Sequence, residues 1–371
     1  MEFIIDRDVF LKSLGHANGI IEKKTTLPIL SNILIEAKDS KIKIIATDLD
    51  IIYFEEMVPK EVKTEGSTTT SASILYEILR KLKPGSDVEL SLLNTNKLKL
   101  VSEKSKFSLL CLPSDNFPLS EEVVEEKKFE VSPQKFLKLL NKTKISISSD
   151  ETRHYLNGIY LHKTTLENKS FLCGVSTDSH RLSSSSLEID SDAHIDSIIL
   201  PKKTIFQLIS LLEQNDKPIK ISNNKSKIKF EMGTGILISK VIDGRFPDYN
   251  KVIPKDNDKI LEIKLNEFKN SIDRVTTVSS DRKEGLKMSI TSSSVQLSVS
   301  SPNSGEGVEN VDAKFNSDGL SISFNSRYLM DITSHIEHDS IIINLKDSSS
   351  PVLIRDFSDK NSFHVVMPMK I

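Results

Sequence analysis

The sequence predicts an α+β chain made of three repeats, each with two short helices packed on one face of antiparallel sheet. Three observations predict it. Helical apolar patterning recurs around Phe10, Phe136 and Phe268 at near-equal intervals. A second helical pattern follows in each third of the chain, and alternating stretches with the period of half-buried strands fill the intervals. Self-similarity at a fixed period marks internal duplication.

The first unit opens with DRDVFLKSLGHANGI (6–20), where Val9, Phe10, Leu14 and Ala17 keep helical spacing. KIKIIATD (41–48) alternates as a strand should, and SASILYEILRKL (71–82) reads as the second helix. The second unit repeats this order with SPQKFLKLLNKTK (132–144), SFLCGVSTD (170–178) and PKKTIFQLISLLEQ (201–214). KLNEFKNSIDRV (264–275), VQLSVSSP (295–302) and NSRYLMDITSHIE (325–337) make the third, so that positions 47, 177 and 301 correspond. A strand region follows each second helix and is clearest in 218–243. There Ile219 and Ile221 alternate with lysines, Asn223-Asn224 turn the chain, and Ile228 and Phe230 resume the alternation. Each third is expected to run β-α-β-β-β-α-β-β-β. Acidic EEVVEEKK (121–128) and polar PKDNDK (254–259) interrupt the patterning, dividing the chain into units 1–127, 128–254 and 255–371.

Composition agrees with several folded domains. The chain has 371 residues, of which 37% are hydrophobic, enough for real cores. Its 50 Lys+Arg against 52 Asp+Glu give a net charge of −2. That charge is uneven: the three units carry −4, +5 and −3. Lys135, Lys138 and Lys142 fall on one helix face, and Arg80-Lys81 and Lys202-Lys203 mark the second helices of the first two units. Two readings stay open for these cations, a solvated helix face or a phosphate-facing surface made by several helices. Apolar runs such as Ile341-Ile342-Ile343 fall far short of a membrane helix, and MEFIIDRD places acids where a secretory leader needs bases. Cys111 and Cys173 sit in apolar stretches, as buried thiols of a reducing compartment do. A soluble cytoplasmic protein is expected.

The sequence lacks GxxxxGK[ST], GxGxxG, HExxH, GxSxG and CxxC, which argues against an ordinary ATPase, dehydrogenase, zinc protease or α/β-hydrolase. Thr177-Asp178-Ser179-His180-Arg181 gathers the residue types of a nucleophile, base and orienter. Triad members normally converge from separate segments, so this run fits a turn or recognition loop better. His335 and His338 have no third metal ligand at suitable spacing. Three further segments stand out: Arg153-His154-Tyr155-Leu156-Asn157-Gly158, Asp243-Gly244-Arg245-Phe246-Pro247-Asp248-Tyr249, and the terminal Val365-Val366-Met367-Pro368-Met369-Lys370-Ile371. Methionine suits surfaces that adapt to several partners.

Taken in order, TLPILSN (26–32), ATD (46–48), RHYLNG (153–158), TDSHRL (177–182), DGRFPDY (243–249) and VVMPMKI (365–371) resemble the bacterial DNA polymerase III β subunit family, the sliding clamps, over the whole chain. The resemblance implies three DNA-clamp domains per chain and a head-to-tail homodimeric ring, helices lining the hole and sheets outside. Such a ring encircles double-stranded DNA and tethers the polymerase III catalytic subunit. Its implied partners also include the clamp loader complex and other polymerases and repair proteins carrying a clamp-binding peptide, with no membrane, cofactor, metal or catalytic residue. Size argues for two chains independently. A 120-residue domain is a sphere roughly 35 Å across, so three leave a hole of about 5 Å and six one of about 35 Å, against a duplex of roughly 20 Å.

By the same resemblance, partner peptides enter a cleft of Tyr155, Leu156, Thr177, His180, Arg181, Leu182, Pro247, Lys251, Val252, Tyr328, Val365, Met367, Pro368 and Met369. DNA contact falls to Lys24, Arg80, Lys202 and Lys203 with the adjacent Arg153, His154 and Tyr155, and the subunit contact to Phe107 against Thr277 and Val278. Ser179 stands where the family usually has glycine, Lys251 where arginine is frequent, and Pro351 where serine is usual. Competing expectations are a monomeric three-repeat peptide scaffold and an enzyme using Ser179 or His180.

Overall fold

A computed structural model describes residues 1–22, 26–94, 96–119, 127–279 and 285–370. Its six α-helices among the described residues are α1 (Arg7–Asn18), α2 (Ala72–Lys81), α3 (Pro133–Lys144), α4 (Lys202–Leu212), α5 (Leu265–Val275) and α6 (Ser326–Thr333). Each lies within a segment with helical spacing. Asp6 caps α1 through Oδ1, which accepts from the N–H groups of Asp8 at 2.8 Å and Val9 at 3.2 Å. Phe10, Phe136 and Phe268 are all fully buried. Val9, grouped with them by spacing, is exposed, because the buried stripe of α1 runs through Phe10, Leu14 and Ala17 at i, i+4 and i+7.

The strand count departs from expectation. Each first helix is followed by at least four strands before the second, not three. The extra strands leading into α2, α4 and α6 are Gly66–Ser71, Ile198–Pro201 and Leu320–Asn325. The first is GSTTTS, with no apolar alternation, and the second is four residues ending in proline, so neither carries a strand signal of its own. Both are held by neighbours, Gly66–Ser71 pairing with Asn32–Ala37 and Ile198–Pro201 with Gly158–Leu161.

The described residues form two compact units, each with one antiparallel sheet. The first comprises Met1–Gln134, Asp192–Asp196 and Phe206–Val241. Its 13-stranded sheet begins at Phe129–Val131 and passes through the hairpin strands Ile219–Asn223, Lys227–Met232 and Gly235–Lys240 to Ile51–Met57. It continues through the first third and ends at Glu61–Thr64. The second unit comprises Lys135–Ser191, Ser197–Ile205 and Ile242–Ile371, and its 12-stranded sheet joins the remaining central strands to the last third where Arg181–Ser185 pair with Ser362–Val366. The repeats are thus units of topology, while hydrogen bonding runs across them. In the second unit a core around Phe268, Ile272, Phe324 and Ile343 belongs to the last third. A smaller cluster of Leu156, Cys173, Val175, Leu182, Ile199, Phe246, Leu353 and Val365 joins central and last thirds.

One lysine overturns a surface reading. Lys142, grouped with Lys135 and Lys138 as one cationic helix face, is buried. Its Nζ lies 2.8 Å from Asp359 Oδ2, 3.4 Å from Asp356 Oδ2 and 3.2 Å from Ser362 Oγ. Lys138 bonds Glu337 at 2.8 Å. This part of α3 packs against an acidic hairpin within the second unit, which periodicity alone does not reveal.

Candidate functional site

The site is built on the smaller cluster of the second unit. Strand Lys169–Thr177 turns through Asp178-Ser179-His180 into strand Arg181–Ile189, and the turn bonds itself. Thr177 Oγ1 donates to Arg181 O at 2.7 Å, and Asp178 Oδ1 accepts from the N–H groups of His180 and Arg181 at 3.0 Å. Arg181 donates to Asp178 Oδ2 through Nε at 3.0 Å and to Asp331 through Nη1 at 2.7 Å, with its guanidinium 4.2 Å from the Tyr328 ring centroid. Here the Asp-Ser-His run makes a loop, as its adjacency in sequence implied.

The chain end closes one side. Met367 N–H donates to His180 O at 2.8 Å, and Met369 N–H to Ser323 O at 2.7 Å. Pro247, Asp248, Tyr249 and Val252 bound the other side, backed by Tyr160 stacked on Phe246 with centroids 5.0 Å apart. His162 Nε2 lies 3.0 Å from Tyr249 Oη, and burial raises the Tyr249 pKa, keeping that phenol neutral. Between these walls is a cavity of about 270 Å³ lined by Leu156, Thr177, Ser179, His180, Arg181, Leu182, Pro247, Asp248, Tyr249, Val252, Val365 and Met367. Val252 and Met367 are exposed beside the buried Leu156, Leu182 and Val365, leaving apolar surface for a ligand to cover.

Nine of the fourteen expected cleft residues line this cavity. Tyr155 packs on the cluster beneath, Tyr328 carries Arg181, and Lys251 lies 3.6 Å from Asp248. Pro368 and Met369 continue the chain past Met367 and are not among the lining residues. Ser179, Asp248 and Tyr249 line it without having been expected to. Asp248 and Tyr249 lie in the aromatic turn that begins at Asp243, so contiguity with Pro247 was the available signal. Pro351, the third departure, is away from the lining, and its carbonyl accepts from Asn257 Nδ2 at 2.9 Å. Gly158 ends the RHYLNG segment for a steric reason: a Cβ there would stand 2.1 Å from Leu200 O.

The expected DNA contacts are dispersed. Lys24 lies outside the described residues. Arg80 is exposed on α2 and pairs with Glu77 at 2.9 Å. Lys202 and Lys203 open α4, exposed, with Lys202 Nζ 3.1 Å from Ser149 Oγ. In the Glu151–Leu156 turn, Arg153 bonds Asp150, and the exposed His154 approaches Asp243 O at 3.1 Å.

Each unit also has a strand within its sheet that is open along part of one edge. Along Ser105–Leu112 one side pairs with Lys97–Ser102, while the other meets a strand, among the described residues, only at Cys111 and Leu112. Phe107 and Leu110 are exposed there, at 36% and 78%, and Phe107 borders a cavity of about 470 Å³ with Ile74, Ile78 and Leu82 of the α2 region. In the second unit Gly305–Asp312 pair with Ser294–Ser301 on one side and have no strand on the other among the described residues. Val308 is exposed on that strand. Thr277 is exposed and Val278 half-buried in the turn after α5.

Repeated α+β units and an apolar groove with exposed Val252 and Met367 define a binding protein. Residues 1–121, 130–248 and 250–370 match the N-terminal, central and C-terminal domains of the DNA polymerase III beta subunit. The beta sliding clamps of Caulobacter vibrioides and Rickettsia felis are 35% and 33% identical to the chain, each comparison covering 100% of both proteins. A Bartonella birtlesii sliding clamp solved with griselimycin superimposes with a TM-score of 0.96 at 37% identity, covering 100% of both chains. A Caulobacter crescentus clamp solved with polyethylene glycol in a putative β-motif tethering region also gives 0.96, at 35% identity, covering 100% of this chain and 99% of that one. The chain belongs to the DNA polymerase III β subunit family, the bacterial sliding clamps, and is a non-catalytic processivity factor. Among the described residues no helix is long and apolar enough to cross a membrane.

Proposed function

We propose that two copies of this chain form a head-to-tail ring around duplex DNA and that each copy tethers replication partners by a short peptide held in the groove. The groove itself carries the reading: an apolar cavity between Leu156, Leu182, Val252, Val365 and Met367, rimmed by Arg181, His180 and Asp248, suits a peptide with apolar anchors and a polar flank. Apolar burial supplies affinity at about 25 cal/mol per Å², and the rim sets register. Tyr155, Lys251, Tyr328, Pro368 and Met369 belong to the surroundings of the same site.

The open edges support the ring. A two-fold ring of three-domain chains needs two equivalent contacts, first domain to third. Joining Ser105–Leu110 of one chain to Gly305–Asp312 of the next would satisfy both rows of backbone groups and cover Phe107, Leu110 and Val308 beside Thr277 and Val278. Domain boundaries near 127 and 254 belong to this reading; the matched segments break between 121 and 130 and between 248 and 250. Lys24, Arg80, Lys202, Lys203 and the Arg153–Tyr155 loop touch phosphates, because a clamp that read bases would stall. The partners are the polymerase III catalytic subunit, the clamp loader and other polymerases and repair proteins bearing the peptide, on the cytoplasmic nucleoid. Protein loaded on nicked circular DNA should stay bound through gel filtration and be lost once the circle is cut; equal retention after cutting would overturn encirclement.

A further inference from the structure

The groove's rim contains a strained residue that peptide binding by itself leaves unexplained. Among its described lining residues only Ser179 has a positive φ, +77°, in the left-handed region where a Cβ is disfavoured and glycine is the usual occupant. Such a residue persists where its surroundings over-determine it. Here the surroundings are specific. Ser179 Oγ accepts a 2.6 Å hydrogen bond from Arg153 Nη1, and Ser179 N–H donates to Thr177 Oγ1 at 3.1 Å. The same guanidinium donates through Nε to Asp150 Oδ2 at 2.8 Å. Hydrogen bonds from Thr152, then that from Arg153, hold the Asp150 pKa down to about 2, so the carboxylate anchors the fork throughout neutral pH.

The turn held in this way carries more than Ser179. The next residue, His180, lines the groove and offers the carbonyl that receives Met367 N–H at 2.8 Å. One guanidinium outside the lining therefore adds, through the Ser179 hydroxyl, an outside tether to a turn that Thr177 and Asp178 also hold, and His180 and Met367 are carried by that turn. Arg153 is 37% exposed, within reach of solvent anions. A phosphate accepts two charge-assisted bonds from a guanidinium and competes well with a neutral hydroxyl.

Resting on the peptide and DNA readings above, we infer that Ser179 is a positioning residue of the groove and that its bond to Arg153 couples the groove to phosphate. Phosphate that takes Arg153 removes the bond to the strained Ser179 hydroxyl, leaving the turn to its internal bonds, and the groove loses affinity. By linkage the effect is reciprocal: a bound peptide weakens the hold of Arg153 on phosphate by the same factor.

The test is calorimetry of the full chain with a synthetic clamp-motif peptide, with and without a saturating short DNA duplex. Wild type should bind the peptide roughly three- to tenfold more weakly in the presence of duplex, the range of one ordinary intramolecular hydrogen bond. Ser179→Gly accepts the backbone angle without cost and lacks only the hydroxyl, so it should bind the peptide more weakly at the start and ignore the duplex. Ser179→Asn tolerates the same angle and restores an acceptor, so it should recover the duplex effect. Unchanged affinity and duplex response in Ser179→Gly would overturn the inference while leaving the peptide groove intact. Failure of wild type to bind the peptide at all would overturn the groove reading together with it.

Discussion

Lys142 and His364 show how much of the second unit depends on single polar side chains. Lys142 is buried between Asp356 and Asp359, so Lys142→Ala leaves the buried Asp356 without a cation and Asp359 with only Lys138 at 3.3 Å, and should destabilise by about 3–5 kcal/mol in denaturant unfolding. A change below about 1 kcal/mol would show the pair to be solvated. His364 is buried with Nδ1 2.8 Å from Ser183 Oγ, and burial, then the Lys142 charge, push its pKa down to about 3. Asp356 is raised by burial but lowered further by bonds from Ser358, Glu337 N–H and the Lys142 charge, reaching about 2. Both shifts act in one direction. The unfolded chain takes up the His364 proton below about 6.5 and the Asp356 proton below about 4, while the folded chain refuses them until about 3 and 2. Stability is therefore complete above about pH 6.5 and falls with acid by up to about 1.4 kcal/mol per pH unit per group. Urea titrations between pH 7.5 and 4.5 should show the fall, and His364→Asn should flatten it; an equal slope in that variant would assign the proton elsewhere.

At the scale of elements, the edge strands and the turn after α5 carry the proposed subunit contact. Phe107→Asp on Ser105–Leu112, or Val278→Asp after α5, would bury an unpaired carboxylate against apolar neighbours in the proposed contact, costing a few kcal/mol. Sedimentation should then give the 41.6 kDa chain instead of its dimer. A stable dimer in both variants would move the contact elsewhere. The same elements show where patterning is informative. The six helices among the described residues were legible because an apolar stripe is local information, reinforced in α1, α2 and α6 by the capping residues Asp6, Ser71 and Asn325. The strand Gly66–Ser71 was not, since its polar residues become strand through pairing with Asn32–Ala37.

For the whole molecule, retention and placement on DNA separate. Binding by charge loses affinity steeply with salt because each phosphate contact releases counterions, whereas a closed ring is kept by topology. Replacing Lys24, Arg80, Lys202 and Lys203 with alanine should slow loading several-fold yet leave salt-resistant retention on closed circles nearly unchanged. Gel filtration of loaded complexes at low and high salt measures both. Salt-dependent loss from closed circles in the alanine variant alone would mean that charge, not closure, holds the protein. A net charge of −2 is compatible with this, since the central third carries +5 while its neighbours are acidic.

The sequence by itself determined the repeats, the helices with their buried phenylalanines, the hairpin near Asn224 and, through six ordered motifs, the family. These follow from periodicity and local chemistry, which neighbouring residues specify together. Tertiary structure alone decided that hydrogen bonding crosses the repeats, that Lys142 is buried against Asp356 and Asp359, that Tyr249 and Asp248 line the groove, and that Ser179 is held by Arg153. In each of these cases the partner lies far away in sequence or the lining depends on how segments pack. Spacing fixes the face a residue occupies, but what meets that face depends on the fold of the rest of the chain.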